Sequence, residues 1–374
     1  MSYRFLHTSD LHLGKAFGGY PEAIRNRLRE ARHGSIARLA QAARQGGAAT
    51  VLLAGDTFDA ETPAPETLRH ALRAMADEGD ITWAMMPGNH DSLAATELWR
   101  KIAADGPPNL RPVLSPEPLA FAPNAYLLPA PCTQRRPGRD LTEAMDAATP
   151  EGVVRIGLGH GAITDFSGEE GVAGIIPPDR ASRSGLDYLG LGDWHGRMQV
   201  NLSTWYSGTP ECDGFKHALT PGALLVAVDG PGSVPRVSVV ETGALMWIAT
   251  NLDLLPGDDV LARLQDSLPA PQGRRDQLIR LAATGRLALA ERAAFEVELA
   301  RIAPDFGWFA SDLASLAVDA RPDDLDLIDR AGALRQAAEA LMAEASNQSL
   351  AQSARDVAAS ALSRLYAYAQ EERP

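Results

Sequence analysis

The chain has 374 residues, 45% hydrophobic and 22% charged, a balance that belongs to folded globular proteins and excludes a disordered chain. Its formal net charge of −13, from 35 Lys plus Arg against 48 Asp plus Glu, excludes a generally attractive field for nucleic acid, so any such contact must be local. The length favours two domains over one.

From the N-terminus, "MSYRFLHTSD" enters an apolar strand without the basic, apolar and small-residue succession of a secretion signal, and no apolar run approaches the ~18 residues of a membrane span. A cytoplasmic protein is expected. Short apolar runs with polar or Gly-rich ends recur as "YRFLHTSD", "ATVLLAGD", "ITWAMMPGNHD", "VVRIGLGHG" and "LDYLGLGDWHG", and predict buried strands central in a sheet. Helical spacing occupies 22–45 and 65–78, the latter with Leu68, Leu72, Met75 and Ala76 on one face. This alternation predicts a layered α/β domain with functional loops at the strand ends. Cys132 and Cys212 are too few for a disulfide framework and lack CxxC spacing, so both read as reduced structural thiols.

Beyond residue 197, "STWYSG", "ALLVAVDG" and "PRVSVVE" follow without long helices between them and predict an antiparallel continuation that closes the first domain near residue 245. Residues 246–374 carry 13 Arg and 20 Asp plus Glu, about half of the excess negative charge. There "DQLIRLAATG" and "DLASLAVDARP" predict strands, and two Ala-rich helices follow. The last, over about 350–370, sets Ala354, Val357, Ala358, Ala361, Leu362 and Leu365 at helical spacing for packing against its own domain.

The polar strand ends collect Asp10 and His12, Asp56, Asn89 and His90, His160, and Asp193 with His195; five of the eight histidines lie at or next to such ends. Asp-x-His occurs twice, and in extended chain residues i and i+2 share a face. Singly, each residue has an ordinary explanation: an Asp after a strand caps a helix, Gly-Asn makes a turn, and a lone buried His is hydrogen-bonded. Gathered on one sheet edge, oxygen and imidazole donors suit Mn, Fe, Zn or Mg, and a two-metal centre is expected.

The series D-x-H, G-D-x-x-D, G-N-H-D, G-H and a closing x-x-H, over residues 4 to about 210, resembles the calcineurin-like metallophosphoesterases. "FLHTSDLHLGK", "LAGDTFD", "MPGNHD" and "YSGTPE" are most similar to the SbcD and YhaO type of DNA repair exonuclease. The resemblance implies an α/β fold, a layered metallophosphoesterase β-sandwich flanked by helices, as a nuclease domain over 1–245. It implies a smaller α+β C-terminal cap over 246–374 that selects DNA and binds a partner. Asp10, His12 and His195 would hold a first metal, Asp56 would bridge, and Asn89, His160 and Asp193 would hold a second, so that the two Asp-x-His pairs share one centre. Two Mn ions are expected, with Mg or Fe as alternatives. His90 would contact the phosphate and protonate the leaving oxygen. Asp59 and Asp91 would each orient a histidine, against the alternative of exposed turn carboxylates.

The family usually closes with Gly-His-x-His, and here Asp193 stands where the first of those histidines would be. Three carboxylates would then face two divalent ions, which favours harder ions such as Mn or Mg over Zn; the alternative is a weak or lost second site. For DNA, the candidates are Arg135, Arg136 and Arg139 in "TQRRPGRD", and Arg25, Arg27, Arg29, Arg32 and Arg38 after the first metal loop. A solubilising helix face interspersed with Glu22 and Glu30 is an equal reading of the second group. His33, His70 and His217 read as solvated surface. The implied partners are DNA, an SbcC/YhaN-like ATPase subunit and a second copy in a homodimer, with no membrane. Two other readings compete: the same centre acting on a small phosphodiester or phosphomonoester, and a weakly active scaffold for an ATPase partner.

Overall fold

The computed structural model describes residues 2–163, 176–216, 220–319 and 322–371 and divides into two units, Met1–Leu245 and Met246–Pro374. In the first unit the apolar runs become strands buried on both faces. β1 (Tyr3–Thr8), β2 (Thr50–Ala54), β3 (Thr82–Met86) and β4 (Leu110–Pro112) run parallel in one sheet. α1 (Glu22–His33), α2 (Ser35–Gln45), α3 (Pro65–Asp77) and α4 (Thr96–Asp105) lie between these strands in sequence. The predicted helical stretch 22–45 is thus divided at Gly34, the residue type least suited to a helix interior among non-prolines.

A second sheet holds β5 (Leu119–Ala122), β6 (Ala125–Ala130), β7 (Val154–His160), β8 (Tyr188–Gly192), β9 (Met198–Gln199) and β10 (Thr204–Tyr206) in the order β5-β6-β7-β8-β10-β9, the four inner strands parallel. The one-turn α5 (Arg180–Arg183) precedes β8. β11 (Gly222–Val228) and β12 (Arg236–Glu241) then return to the first sheet and add antiparallel beside β1. The expected antiparallel continuation is therefore split: "STWYSG" joins the second sheet parallel to β8, and only the later two strands extend the first.

Side-chain alternation explains the layers. Phe5, Leu52, Ala54, Ala84 and Met86 pack between the sheets against Leu127, Ile156, Leu158 and Tyr188. Their neighbours Leu6, Val51, Leu53, Trp83 and Met85 face the helices and meet Ile36, Leu39, Leu72, Met75 and Trp99. Both faces are dry, which is why these strands read as unbroken apolar runs. Parallel β1, β2 and β3 end at a common edge, where open α/β sheets place their ligands.

The second unit is a parallel sheet of β13 (Met246–Leu254), β14 (Gln277–Ala288) and β15 (Trp308–Asp319), with α6 (Val260–Ser267) and α7 (Leu289–Ile302) as crossovers. It ends with the short α8 (Pro322–Asp326) and with α9 (Ala333–Ser346) and α10 (Gln352–Glu371). On α10 the buried stripe is Ala358, Leu362 and Tyr366, whereas Val357 is 70% exposed. The apolar face read from spacing is thus rotated toward Tyr366, which shares a cluster with Leu289 and Ala293 of α7. Among the described residues, no helix is long and apolar enough to cross a membrane.

Candidate metal centre

The loops after β1, β2 and β3 and the ends of β7 and β8 bring all seven predicted ligands to one place. Asp10, His12, Asp56 and Asp193 have φ of 57°, 43°, 53° and 95°, the left-handed region that L-residues avoid at a cost of about 1–2 kcal/mol each. The strain is held by backbone bonds that join the first two loops: Asp10 N to Gly55 O at 3.1 Å, His12 N to Asp56 O at 2.9 Å and Leu13 N to Thr57 O at 2.9 Å. Gly88 lets the third loop close over them, since a Cβ there would lie 2.1 Å from Asp56 Oδ1.

The Nε2 atoms of His12 and His195 face each other at 3.1 Å, and each lies 3.9 Å from Asp10 Oδ1. Asp56 spans two groups of donors: its Oδ2 is 3.6 Å from His12 Nε2 and its Oδ1 is 3.5 Å from His160 Nε2. His160 Nε2 also lies 3.8 Å from Asp193 Oδ1, which accepts a bond from Asn89 Nδ2 at 3.1 Å. His160 Nε2 and Asn89 Oδ1 are buried without hydrogen-bond partners, a costly condition unless a cation takes their lone pairs. The donor set therefore fits two divalent ions sharing Asp56. Donor atoms of Asp10, His12 and His195, and those of Asp10, Asp56 and His160, each lie within 4.8 Å of one another.

Electrostatics follow from this crowding. Burial alone would raise Asp56, but His160 and His12 hold it below the usual carboxylate range. Burial would lower His160, yet Asp56 raises it well above an ordinary imidazole. Asp193 is raised by burial, and Asp10 and Asp56 add to the rise against the opposing pull of His160. His90 adjoins the ligands: its backbone N–H donates to Asp56 Oδ1 at 2.8 Å, its ring is edge-on to His12 at 4.8 Å with a donor atom within 4.8 Å of those of His12 and Asp56, and its Nδ1 is 2.8 Å from the Asp59 carbonyl. A carbonyl oxygen only accepts, so Nδ1 is the donor in this contact.

Asp59 has its Oδ1 3.1 Å from His12 Nδ1. Asp91 differs from expectation. Among the described residues no histidine hydrogen-bonds to it; its buried carboxylate accepts from the backbone N–H of Gly88 at 2.7 Å, Phe58 at 3.0 Å and Asp56 at 3.2 Å, tying two loops of the site together. Burial and the neighbouring Asp56 charge raise it to about 7. Sequence reading missed Asp213, whose Oδ2 lies 3.2 Å from His195 Nδ1 and 2.6 Å from Lys15 Nζ. Its position two residues after "YSGTPE" was the available signal.

Two of the arginine candidates are structural. Arg32 is 1% exposed and donates to the carbonyls of Asp10, Leu11 and Glu211, and Arg38 pairs with Glu211 at 2.7 Å. Arg25 donates to Tyr20 O at 2.6 Å, Arg27 is half-buried, and Arg29 is exposed. Arg135, Arg136 and Arg139 are exposed on the loop after β6. His33 is half-buried and stacks on exposed His70 with ring centroids 4.7 Å apart, so the pair is not simply solvated surface; His217 lies outside the described residues.

Residues 3–170 match the family profile described as calcineurin-like phosphoesterase. Over 240 residues the chain is 28% identical to the uncharacterized metallophosphoesterase YhaO of Bacillus subtilis (strain 168), a match covering 60% of this chain and 57% of that protein. Similar solved structures include TT1561 of Thermus thermophilus, at 10% identity and a TM-score of 0.40 over 65% of this chain and 100% of that one. Another is a dimetal phosphatase from Danio rerio, at 10% identity and a TM-score of 0.36 over 63% of this chain and 98% of that one. Residues 3–170 of the first unit thus carry a calcineurin-like phosphoesterase domain.

Proposed function

We propose that the chain is a two-metal phosphodiesterase acting on DNA, an exonuclease of the SbcD/YhaO type. The observation that carries the chemistry is the placement of Asp56 between facing His12 and His195 on one side and the partnerless His160 Nε2 on the other. Asp10, His12, His195 and Asp56 would hold one ion, and Asp56, Asn89, His160 and Asp193 the other; the oxygen-rich set favours Mn, with Mg or Fe as alternatives. Held there, two such ions would supply Lewis acidity toward a phosphodiester and toward a bound water. His90, held at Nδ1, presents Nε2 to protonate the leaving oxygen.

The choice of DNA is supported by the four loop motifs and by the exposed Arg135, Arg136 and Arg139. In this reading residues 246–374 cap the nuclease unit and engage an SbcC/YhaN-like ATPase subunit, and the chain works as a homodimer. The test is Mn-dependent degradation of end-labelled linear duplex DNA, run beside His90→Ala. Progressive shortening is expected, and the variant should keep its metal and lose about 10²–10⁴-fold in turnover. No degradation by a metal-loaded chain would refute DNA as the substrate of the chain alone.

The withdrawal of Arg32 and Arg38 into the fold, on a chain of net charge −13, favours a second reading, a small phosphodiester or phosphomonoester as substrate. Hydrolysis of bis(p-nitrophenyl) phosphate with DNA left intact would select it.

A further inference from the structure

We propose that Asp213 is a positioning residue for the first metal site, acting through His195, and that Lys15 fixes Asp213 in that role. The inference rests on the two-metal reading above and deepens it. His195 Nδ1 faces Asp213 Oδ2 at 3.2 Å, which turns its Nε2 toward His12 and Asp10. Lys15 Nζ reaches the same Oδ2 at 2.6 Å. The carboxylate is largely buried, so its rotamer is set by these two partners.

The segment that carries Asp213 is pinned to the first metal loop. Ser9 Oγ and Ser207 Oγ are 3.0 Å apart, Thr209 Oγ1 donates to Asp10 O at 2.9 Å, and Thr209 N donates to His195 O at 3.1 Å. Arg32, buried beneath both, donates to Leu11 O and, at 2.9 Å, to Glu211 O. His195 is thus held at its backbone carbonyl and at its ring by one segment that is itself fastened to Asp10.

The three imidazoles of the centre are backed unequally. His12 Nδ1 faces Asp59 at 3.1 Å and His195 Nδ1 faces Asp213, whereas His160 Nδ1 is 2.8 Å from the neutral carbonyl of Ala54. A carboxylate on Nδ1 raises the basicity of Nε2 as well as orienting the ring. His195 has a carboxylate at Nδ1 and the imidazole of the second site does not.

The test is a Mn titration of the full chain without substrate, read by heat of binding and by loss of the free-Mn EPR signal, for the unsubstituted chain, Asp213→Asn, His195→Ala and His160→Ala. Two classes of site are expected. Asp213→Asn should weaken about 10–100-fold the class that His195→Ala abolishes and leave the class that His160→Ala abolishes. Asp213→Glu should recover part of the loss, which a purely structural role would not produce. If Asp213→Asn does not fold, Lys15→Met should weaken the same class by a smaller factor. Unchanged affinity, weakening of the His160 class, or equal weakening of both overturns the proposal, as does a chain that takes up no ion at His195. Absence of DNA degradation by a chain that shows the expected shift would instead remove the substrate reading and leave this role intact.

Discussion

Asp193 takes a backbone φ of 95° and turns its N–H toward the Asp10 carboxylate, 3.3 and 3.2 Å from its two oxygens, while its own carboxylate lies 3.8 Å from His160 Nε2. With Asp10 and Asp56 it would make three carboxylates for two ions, an arrangement that would suit a hard cation and dampen its Lewis acidity. Asp193→His is therefore expected to weaken Mn at the His160 site by at least about tenfold and to raise the share of bound Zn, measured as metal content after dialysis against equal concentrations of both. Unchanged Mn content would deny the carboxylate a ligand role. Arg32 is the opposite case, a buried cation committed to backbone carbonyls. It satisfies three buried carbonyls, so Arg32→Met should cost about 3–5 kcal/mol in denaturant unfolding, and loss of DNA affinity without loss of stability would contradict its structural assignment.

At the scale of elements, β1 shows what could be read from sequence and what could not. The runs that became β1, β2, β3, β7 and β8 were legible because both faces are dry, and the clustering of the ligand candidates was legible because each follows the polar end of such a run. β6 was not, since Pro129 lies inside it, and neither was the parallel placement of β10, which depends on where the chain crosses between sheets. Asp213 belongs to no periodic pattern, and the burial of Arg32 and Arg38 is a tertiary fact. β1 also buries a titratable group: His7 faces the sandwich interior, its Nδ1 2.8 Å from Tyr188 Oη, and burial lowers its pKa from 6.5 to about 3. Above pH 6.5 the ring is neutral in folded and unfolded chains alike and the pH-linked term is zero. As pH falls from 6.5 toward 3, the unfolded chain takes a proton that the folded one refuses, so stability is lost by up to about 1.4 kcal/mol per pH unit. His7→Gln, which keeps a polar partner for Tyr188, should show a shallower acid slope by that amount in denaturation series over this range. Parallel slopes would mean that His7 charges in the folded state.

For the whole molecule the decisive quantity is charge. A net −13, more than half of it in residues 246–374, repels a polyanion at long range, so DNA affinity has to come from a few short-range contacts. Each phosphate neutralised contributes about 0.9 to the slope of log affinity against log salt concentration on duplex DNA. With Arg32 and Arg38 committed to the fold, the exposed Arg135, Arg136 and Arg139 are the compact basic group that sequence and structure both leave available beside the first unit's β6. Replacing all three by Ala should lower the salt slope by about 2–3 and weaken duplex binding at low salt, with both Mn sites and hydrolysis of bis(p-nitrophenyl) phosphate unchanged. That separation matters because a lesion in the metal centre would reduce both activities together. A slope equal to that of the unsubstituted chain would move the DNA track elsewhere on the molecule, and an intact small-ester activity with no measurable duplex affinity in either protein would favour the small substrate over DNA.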